Sequence, residues 1–442
     1  MTIDVGLSRE MRGMVDASTG LVSRAIFSDE RIFQLEMERI FARAWNFVAH
    51  DSQIPNPGDF FLTFIGEDRV IVVRDNDGNA QVLVNSCRHR GNAVCRAEEG
   101  HASSFMCTYH GWTFDLQGKL VGVPGFKEVY HEELDRENWG LIKAAHVDSY
   151  KGFIFATMDP EAIGLYEYLG QVGRIGIDLL AERGDIKMVP GVQKYVIDCN
   201  WKFAADNVWD WYHVPFSHFS ATASGYNRRG NTPEPKPLAQ AHMVMLGEYG
   251  HVVGGPRMTE ELKNRLSGNP AFDDSWRERP EAQAALGPIG IQSRGHPHIF
   301  PNMWFTGGNQ VSLRIPKSPT TTEIWWFTFL DKNRPQEVYK AQRHNANHTF
   351  GPAGMLEQDD GENWGQSTRA MRGVISRQYP LNYSMDKRHG EVIEDELGPP
   401  RIFTQVNEHG QLWLYQAWAD WMAAESWDDL KRNHTEVPGG TI

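Results

Sequence analysis

With four cysteines in 442 residues (Cys87, Cys95, Cys107 and Cys199), the chain has too few for a disulfide framework. No run approaches the ~20 apolar residues of a membrane-spanning helix. Positive charge is in deficit: Lys and Arg total 44 against 57 Asp and Glu, a net charge of −13, which argues against a general role on nucleic acid or an anionic membrane. No G-x-G-x-x-G stands between a strand and a helix, so neither a flavin nor a nicotinamide site is expected. The H-E-x-x-H of zinc hydrolases is absent, as are internal repeats and low-complexity tracts. The opening residues, MTIDVGLSREMRGMVD, lack the apolar core of a secretory signal, and a soluble cytoplasmic protein is the expectation.

What is present is a globular composition, 40% hydrophobic and 23% charged, at a length that favours two domains. The 15 Trp read either as core packing or as the lining of a cavity for an aromatic compound. Residues 8–45 carry helix-like apolar spacing (Ile32, Phe33, Leu35, Met37, Ile40, Phe41, Trp45). Short strand-like runs follow to about Asp159: FFLTFIG, RVIVVRD, AQVLVNS, SFMCTYH, WTFDLQG and GFIFATM, with Asp77-Gly78 as a hairpin signal. This stretch reads as an all-β domain. Beyond it the pattern is mixed. LYEYLGQVGRIGIDLLAERG and WKFAADNVWDWYHVPFSH read as helices, 221–300 as irregular cover over a site, QVSLRIPKS and EIWWFTFLD as strands, and 334–350, 356–375 and 411–432 as helices. The expected domains are 46–160 (all-β) and 161–442, with the helices of 1–45 belonging to the latter.

Cys87-Arg88-His89 is followed after seventeen residues by Cys107-Thr108-Tyr109-His110. Two thiolates and two imidazoles could bind zinc, but zinc sites usually pair like with like. Here each half carries one Cys and one His, which suits a two-iron cluster with thiolates on one iron and imidazoles on the other. Gly91 and Gly111 flank the ligands and let the backbone approach closely. Cys95 and Cys199 fall outside the pattern and read as buried thiols.

A second constellation lies in Asn200–His218. His213 and His218 are five apart, about 500° on an ideal helix, so the rings would not share a face unless Pro215 breaks the ladder between them. Two histidines with a carboxylate form the facial triad of non-haem Fe(II) oxygenases. Asp210, three residues before His213, would share its helical face and accept the imidazole N–H.

Laid together, C-R-H-R-G, C-x-Y-H-G-W, N-W-K-x-x-x-[DE]-N and D-x-Y-H-x-x-x-x-H resemble the α subunits of Rieske-type aromatic ring-hydroxylating dioxygenases. The resemblance covers nearly the whole chain. It implies an α+β fold: an all-β Rieske [2Fe-2S] domain inserted near the start of a helix-grip, mixed catalytic domain with an antiparallel sheet. It assigns Cys87, His89, Cys107 and His110 to the cluster and His213 and His218 to a mononuclear Fe(II). The third ligand would come from FGPAGMLEQDDGENW: Asp360 as a bidentate carboxylate, with Asp359 the one-residue-off alternative.

The resemblance also gives Asp210 a second partner, joining His110 of one chain to His213 of the next. It puts Asn207, Trp211, Val214, His298, Asn302, Phe350 and Leu356 at pocket positions, a mostly apolar lining suited to a hydrophobic aromatic substrate. O₂ is the co-substrate, and NAD(P)H acts only through a separate reductase and ferredoxin, with Arg88, Arg90 and Arg96 as a docking surface. A small β subunit, usually as α₃β₃, is the expected partner. The expected product is a cis-dihydrodiol. Asn207 and Asp210 have two residues between them where many hydrocarbon dioxygenases have three, a shortening shared with some Rieske monooxygenases and demethylases. Those enzymes, and a Rieske electron-transfer protein without oxygenase activity, are the alternative readings.

Overall fold

The computed structural model describes residues 5–226, 228–229, 232–233 and 238–437; residues 1–4 of the expected N-terminal helices, and 227, 230–231 and 234–237 of the stretch read as irregular, lie outside them. The described residues form two compact units, one comprising Phe41–Leu165 and the other the chain up to Ile40 together with that from Tyr166 onward.

The Phe41–Leu165 unit is all β. Asp59–Ile65 pairs with Asp68–Arg74, which pairs with Ala80–Val84, and Glu99–His101 closes the other edge. Gly78 (φ 85°) supplies the left-handed turn that Asp77-Gly78 signals. Two three-stranded sheets complete it: Phe105–Met106, Thr113–Phe114 and Leu120–Gly122, and Asn46–His50, Phe153–Thr157 and His146–Tyr150. Phe60, Leu62, Ile71, Val73 and Leu83 bury one core with Trp112, Phe114 and the two motif cysteines, Cys87 and Cys107.

The other unit is built on an antiparallel ten-stranded sheet. Thr321–Asp331 and Gln310–Ser318 are its longest pair, and the ladder continues through Met303–Phe305, His296–Ile299, Val252–Pro256, His242–Leu246 and Arg401–Thr404. Every residue from Ile324 to Leu330 is buried, which is why EIWWFTFLD reads as a continuous apolar run rather than an alternation. The C-terminal helix His409–Ala423 is buried on nearly all sides and has no polar face. None of the described helices is long and apolar enough to cross a membrane.

Three expectations are corrected. The 8–45 segment is not continuously helical: Val5–Arg12 and Glu30–Glu36 are separated by a small hairpin, Val15–Asp16 with Leu21–Val22, after which Met37–Phe41 winds as a π-helix. The stretch 221–300 is not irregular. It holds two central strands, His242–Leu246 and Val252–Pro256, and the helices Glu260–Leu266 and Pro280–Gly290. Paired glycines hid the second strand. Gly254 and Gly255 stand there because Trp209 and Trp211 press against them, leaving no room for a Cβ. Finally, 201–218 is not one helix. Trp201–Asp206 is α-helical, Asn207–Trp209 tightens to 3₁₀, Asp210 is extended (φ −77°, ψ 90°), and helix resumes only at Val214–Ser217.

The Asn-Trp-Lys start of that segment is an anchor. Asn200 caps the helix by accepting Lys202 N–H, donates from Nδ2 to Pro319 O and donates its own backbone N–H to Thr368 Oγ1. Glu36, fully buried, accepts from the Lys202 ammonium and from the indole N–H groups of Trp201 and Trp418. One carboxylate thus ties three helices together. Replacing Lys202 by Met should strand the Glu36 charge and cost about 3–5 kcal/mol in a denaturant titration, with the Glu36→Gln/Lys202→Met pair recovering a substantial part. Equal losses in the single and double variants would contradict this.

Candidate functional site

The break in the helical segment determines where the histidines point. Asp210 Oδ1 accepts the backbone N–H groups of Tyr212 and His213 (2.9 and 3.1 Å), acting as the cap of a new turn. His213 opens the one-turn helix Val214–Ser217 and His218 closes it, with Pro215 in its first turn, where a missing N–H costs nothing. Pro215 therefore starts a helix and does not kink one. Asn207 and Asp210 are exactly one 3₁₀ turn apart, bonded Asp210 N to Asn207 O (3.2 Å), so the short spacing is absorbed as tighter winding.

His213 Nε2 and His218 Nε2 lie 3.1 Å apart, and Asp360 Oδ1 lies 3.2 Å from the first and 3.4 Å from the second. Donors about 2.1 Å from one ion and at right angles to each other are about 3.0 Å apart, so these three atoms have the separations of ligands around a single cation. Among the described residues this is the one group of three or more His, Cys, Asp or Glu gathered tightly enough to hold an ion. The electrostatics agree. Burial pushes the His213 imidazole down, but Asp210 and Asp360 outweigh it and raise it to about 10, because two carboxylates face a site that otherwise has no positive charge.

Asp360 projects from Glu357–Met371, where it is buried. Glu357, one turn earlier, fixes that helix: it pairs with the buried Arg314 guanidinium (2.9 Å) and accepts from Trp326 Nε1 (2.6 Å). Asn363 Nδ2 donates to Ser217 Oγ (3.1 Å), and Ser220 Oγ donates to Asp359 (3.0 Å), so the acidic helix and the histidine turn are stitched on both sides of the triad. Asp359 faces His218 Nδ1 at 3.8 Å rather than the shared centre. Asp210 Oδ2 lies 3.3 Å from His213 Nδ1. The two residues share no helical face; a capping turn at Asp210 delivers the contact instead.

The pocket positions divide. Trp211 packs edgewise on His242 and tilted on His296 (5.9 and 5.0 Å), and His298 is buried against Trp209 (5.3 Å). Asn302 commits its amide to Arg314 O (3.0 Å), and Phe350 is stacked on Trp326 (4.9 Å). Asn207 and Val214 lie beside the triad in sequence, and Leu356 immediately precedes the helix that carries Asp360. A separate recess lined by Arg183, Arg277 and Arg294 shares no residue with the triad. Its guanidiniums surround Asp274 and bond main-chain carbonyls, as a structural clamp does.

The cluster motif lies in the Phe41–Leu165 unit as two matching turns. Cys87 N–H donates to Asn92 O and Gly91 N–H to Cys87 O; likewise Cys107 N–H donates to Trp112 O and Gly111 N–H to Cys107 O. Both glycines sit at φ 74°, the left-handed region these closures require. The cysteines are buried, while the imidazoles lie nearer the surface with ring centres 4.4 Å apart. His89 stacks on Trp112 (5.1 Å), its Nδ1 is buried with no hydrogen-bond partner, and burial with repulsion from His110 and Arg90 keeps the ring neutral, the form that binds metal. These four residues do not converge on one point as the triad does, so they suit a broader two-iron cluster better than a single zinc ion. Arg88 and Arg90 are exposed on the first turn.

Asp206 was not singled out as a functional residue, because both its partners come from distant sequence. Buried, it accepts from the hydroxyls of Tyr383 and Tyr415. Burial raises its carboxyl to about 7 against the lowering effect of the two tyrosines, with Asp210 and Glu408 adding repulsion.

A family profile described as ring hydroxylating alpha subunit (catalytic domain) matches residues 178–424, and one for the Rieske [2Fe-2S] domain matches residues 44–144. The benzene 1,2-dioxygenase subunit alpha of Pseudomonas putida is 36% identical over 440 residues, 96% of this chain and 95% of its own. The biphenyl 2,3-dioxygenase subunit alpha of Rhodococcus jostii is 35% identical, covering 97% and 94%. A solved naphthalene 1,2-dioxygenase with indole in its active site superposes with a TM-score of 0.84 at 29% identity over 96% of each chain.

Asp206→Asn supplies a pH test. A folded value of about 7 against 3.8 means that the folded state binds this proton more tightly. The resulting stability is fully present below pH ~4, declines as pH rises towards 7 and is constant above, a span of about 4 kcal/mol. The gain in Tm of Asp206→Asn over the parent should therefore grow from pH 4 to 7 and then level off. A pH-independent difference would refute the assignment.

Proposed function

The chain belongs to the ring-hydroxylating dioxygenase α-subunit family, and from that premise we propose that His213, His218 and Asp360 hold its mononuclear iron, that Cys87, His89, Cys107 and His110 hold its Rieske cluster, and that the enzyme cis-dihydroxylates a hydrophobic aromatic ring. The observation that carries this reading is the convergence of two imidazole nitrogens and one carboxylate oxygen within 3.1–3.4 Å of one another. When bound there, iron supplies O₂ activation, with electrons from the two-iron cluster.

The protein's own part is positioning. Asp210 holds the His213 ring by its Nδ1, leaving Nε2 for the metal, and its carboxyl is kept ionised because contacts to His213 outweigh burial. Arg314 and Glu357 hold the helix that presents Asp360. The apolar positions Trp211, Val214, Phe350 and Leu356, with Asn207, His298 and Asn302, line the substrate site in this reading, which favours an uncharged aromatic over a small acid. We also assign 46–160 to the Rieske domain and 1–45 with 161–442 to the catalytic domain. In this reading the working enzyme is cytoplasmic, pairs with a small β subunit as α₃β₃, and takes its electrons from a ferredoxin and an NAD(P)H-dependent reductase; a subunit assembly is supported by the relatives being named as dioxygenase alpha subunits.

Three measurements test the proposal. His218→Ala should lower the iron content from about three to about two per chain while the red-brown cluster colour persists; Asp210→Ala should keep the iron but lose at least tenfold in turnover. Turnover of a hydrophobic aromatic panel under ¹⁸O₂ should give a diol carrying two labelled atoms. A single labelled atom throughout would favour a monooxygenase, and undiminished iron in His218→Ala would overturn the ligand assignment.

A further inference from the structure

We infer that Asn92 sets the reduction potential of the Rieske cluster by donating a side-chain N–H to the Cys107 thiolate. The inference rests on the cluster assignment above. Each cysteine sulfur receives backbone N–H groups from its own turn: those of His89 and Arg90 for Cys87, and those of Tyr109 and His110 for Cys107. Cys107 has one donor more. Asn92 belongs to the first turn, yet its Nδ2 lies 3.6 Å from the Cys107 sulfur of the second. The residue is well placed to hold this contact, because its carbonyl closes the first turn on Cys87 N–H (2.9 Å) and its Nδ2 also reaches Ala93 O (3.1 Å). An amide carries two N–H groups, so both contacts can be made at once.

The asymmetry has a direct electrical consequence. Reduction places one more negative charge on the iron–sulfur core, and a hydrogen bond to a ligating sulfur stabilises the reduced form more than the oxidised one. Asn92 lies outside the C-R-H-R-G and C-x-Y-H-G-W residues themselves, so it is free to adjust the potential without altering the ligand set.

The test is a redox titration of the purified holoenzyme followed by EPR. Asn92→Leu, which keeps the bulk and removes the donor, should lower the reduction equilibrium constant threefold to tenfold, tenfold being about 59 mV for a one-electron couple. Asn92→Ala should shift it in the same direction, and decides the matter if the Leu side chain disturbs the turn. In the parent enzyme, exchange into D₂O should reveal a deuteron coupled to the cluster that both variants lack. Unchanged potentials in both variants, or no such deuteron in the parent, would overturn the inference. Cys107→Ala separates this from the underlying assignment: a Rieske spectrum that survived it would mean the cluster lies elsewhere, whereas its loss leaves the outcome to Asn92.

Discussion

The buried pair between Glu36 and Lys202 is the constraint on which the catalytic unit depends. It brings a carboxylate from the N-terminal segment, an ammonium from the segment that carries the histidines and an indole from the helix His409–Ala423 into one buried contact, with both oxygens of Glu36 engaged. A buried pair of this kind is not an efficient source of stability, since an apolar trio could fill the same volume. What it supplies is registry. The helix from Trp201 can begin at only one place, and all that follows (the 3₁₀ tightening, the extended Asp210, the turn between the histidines) is counted from that start. Lys202 also lies close to the faces of Phe27, Trp201 and Trp418, so the charge is held on several sides.

The triad shows how a candidate metal site can be assembled from pieces that are individually modest in energy. The two histidines need only a short helix, while Asp360 stands in the first turn of the longer helix Glu357–Met371. His213 and His218 bracket a single turn, and Asp360 is set by Glu357 one turn earlier on its own helix. The links across the gap, Asn363 to Ser217 and Ser220 to Asp359, are ordinary neutral or singly charged hydrogen bonds. Geometry is fixed by many modest contacts around the three side chains.

Much of this was legible in the sequence, and the parts that were not share a cause. The Cys-His turns and the histidine pair are each written within a few consecutive residues, so a local pattern backed by the family resemblance brings them out. The long strands Gln310–Ser318 and Thr321–Asp331 were equally plain, because their apolar runs are long and β-branched or aromatic. The break at Asp210 is hidden behind the helix-favouring start Trp201–Ala205, although Asn207, Asp210 and Pro215 after it favour caps and turns. The strand Val252–Pro256 was missed because its glycines answer to Trp209 and Trp211 from another segment. Asp206 with Tyr383 and Tyr415, and Glu357 with Arg314, are pairs formed across long stretches of sequence, where no local pattern exists to be read.

The two cluster turns close on themselves, each with the same pair of backbone hydrogen bonds and the same left-handed glycine. No backbone bond of either closure comes from the chain between Asn92 and Cys107. That intervening chain, which runs out to Glu99–His101 at the sheet edge and back through Phe105–Met106, is a tether. Its length is therefore open to drift and to engineering, as in permuting the strand order or grafting a loop, provided the two self-closed ends still meet. A single residue inserted inside either turn would unlatch it.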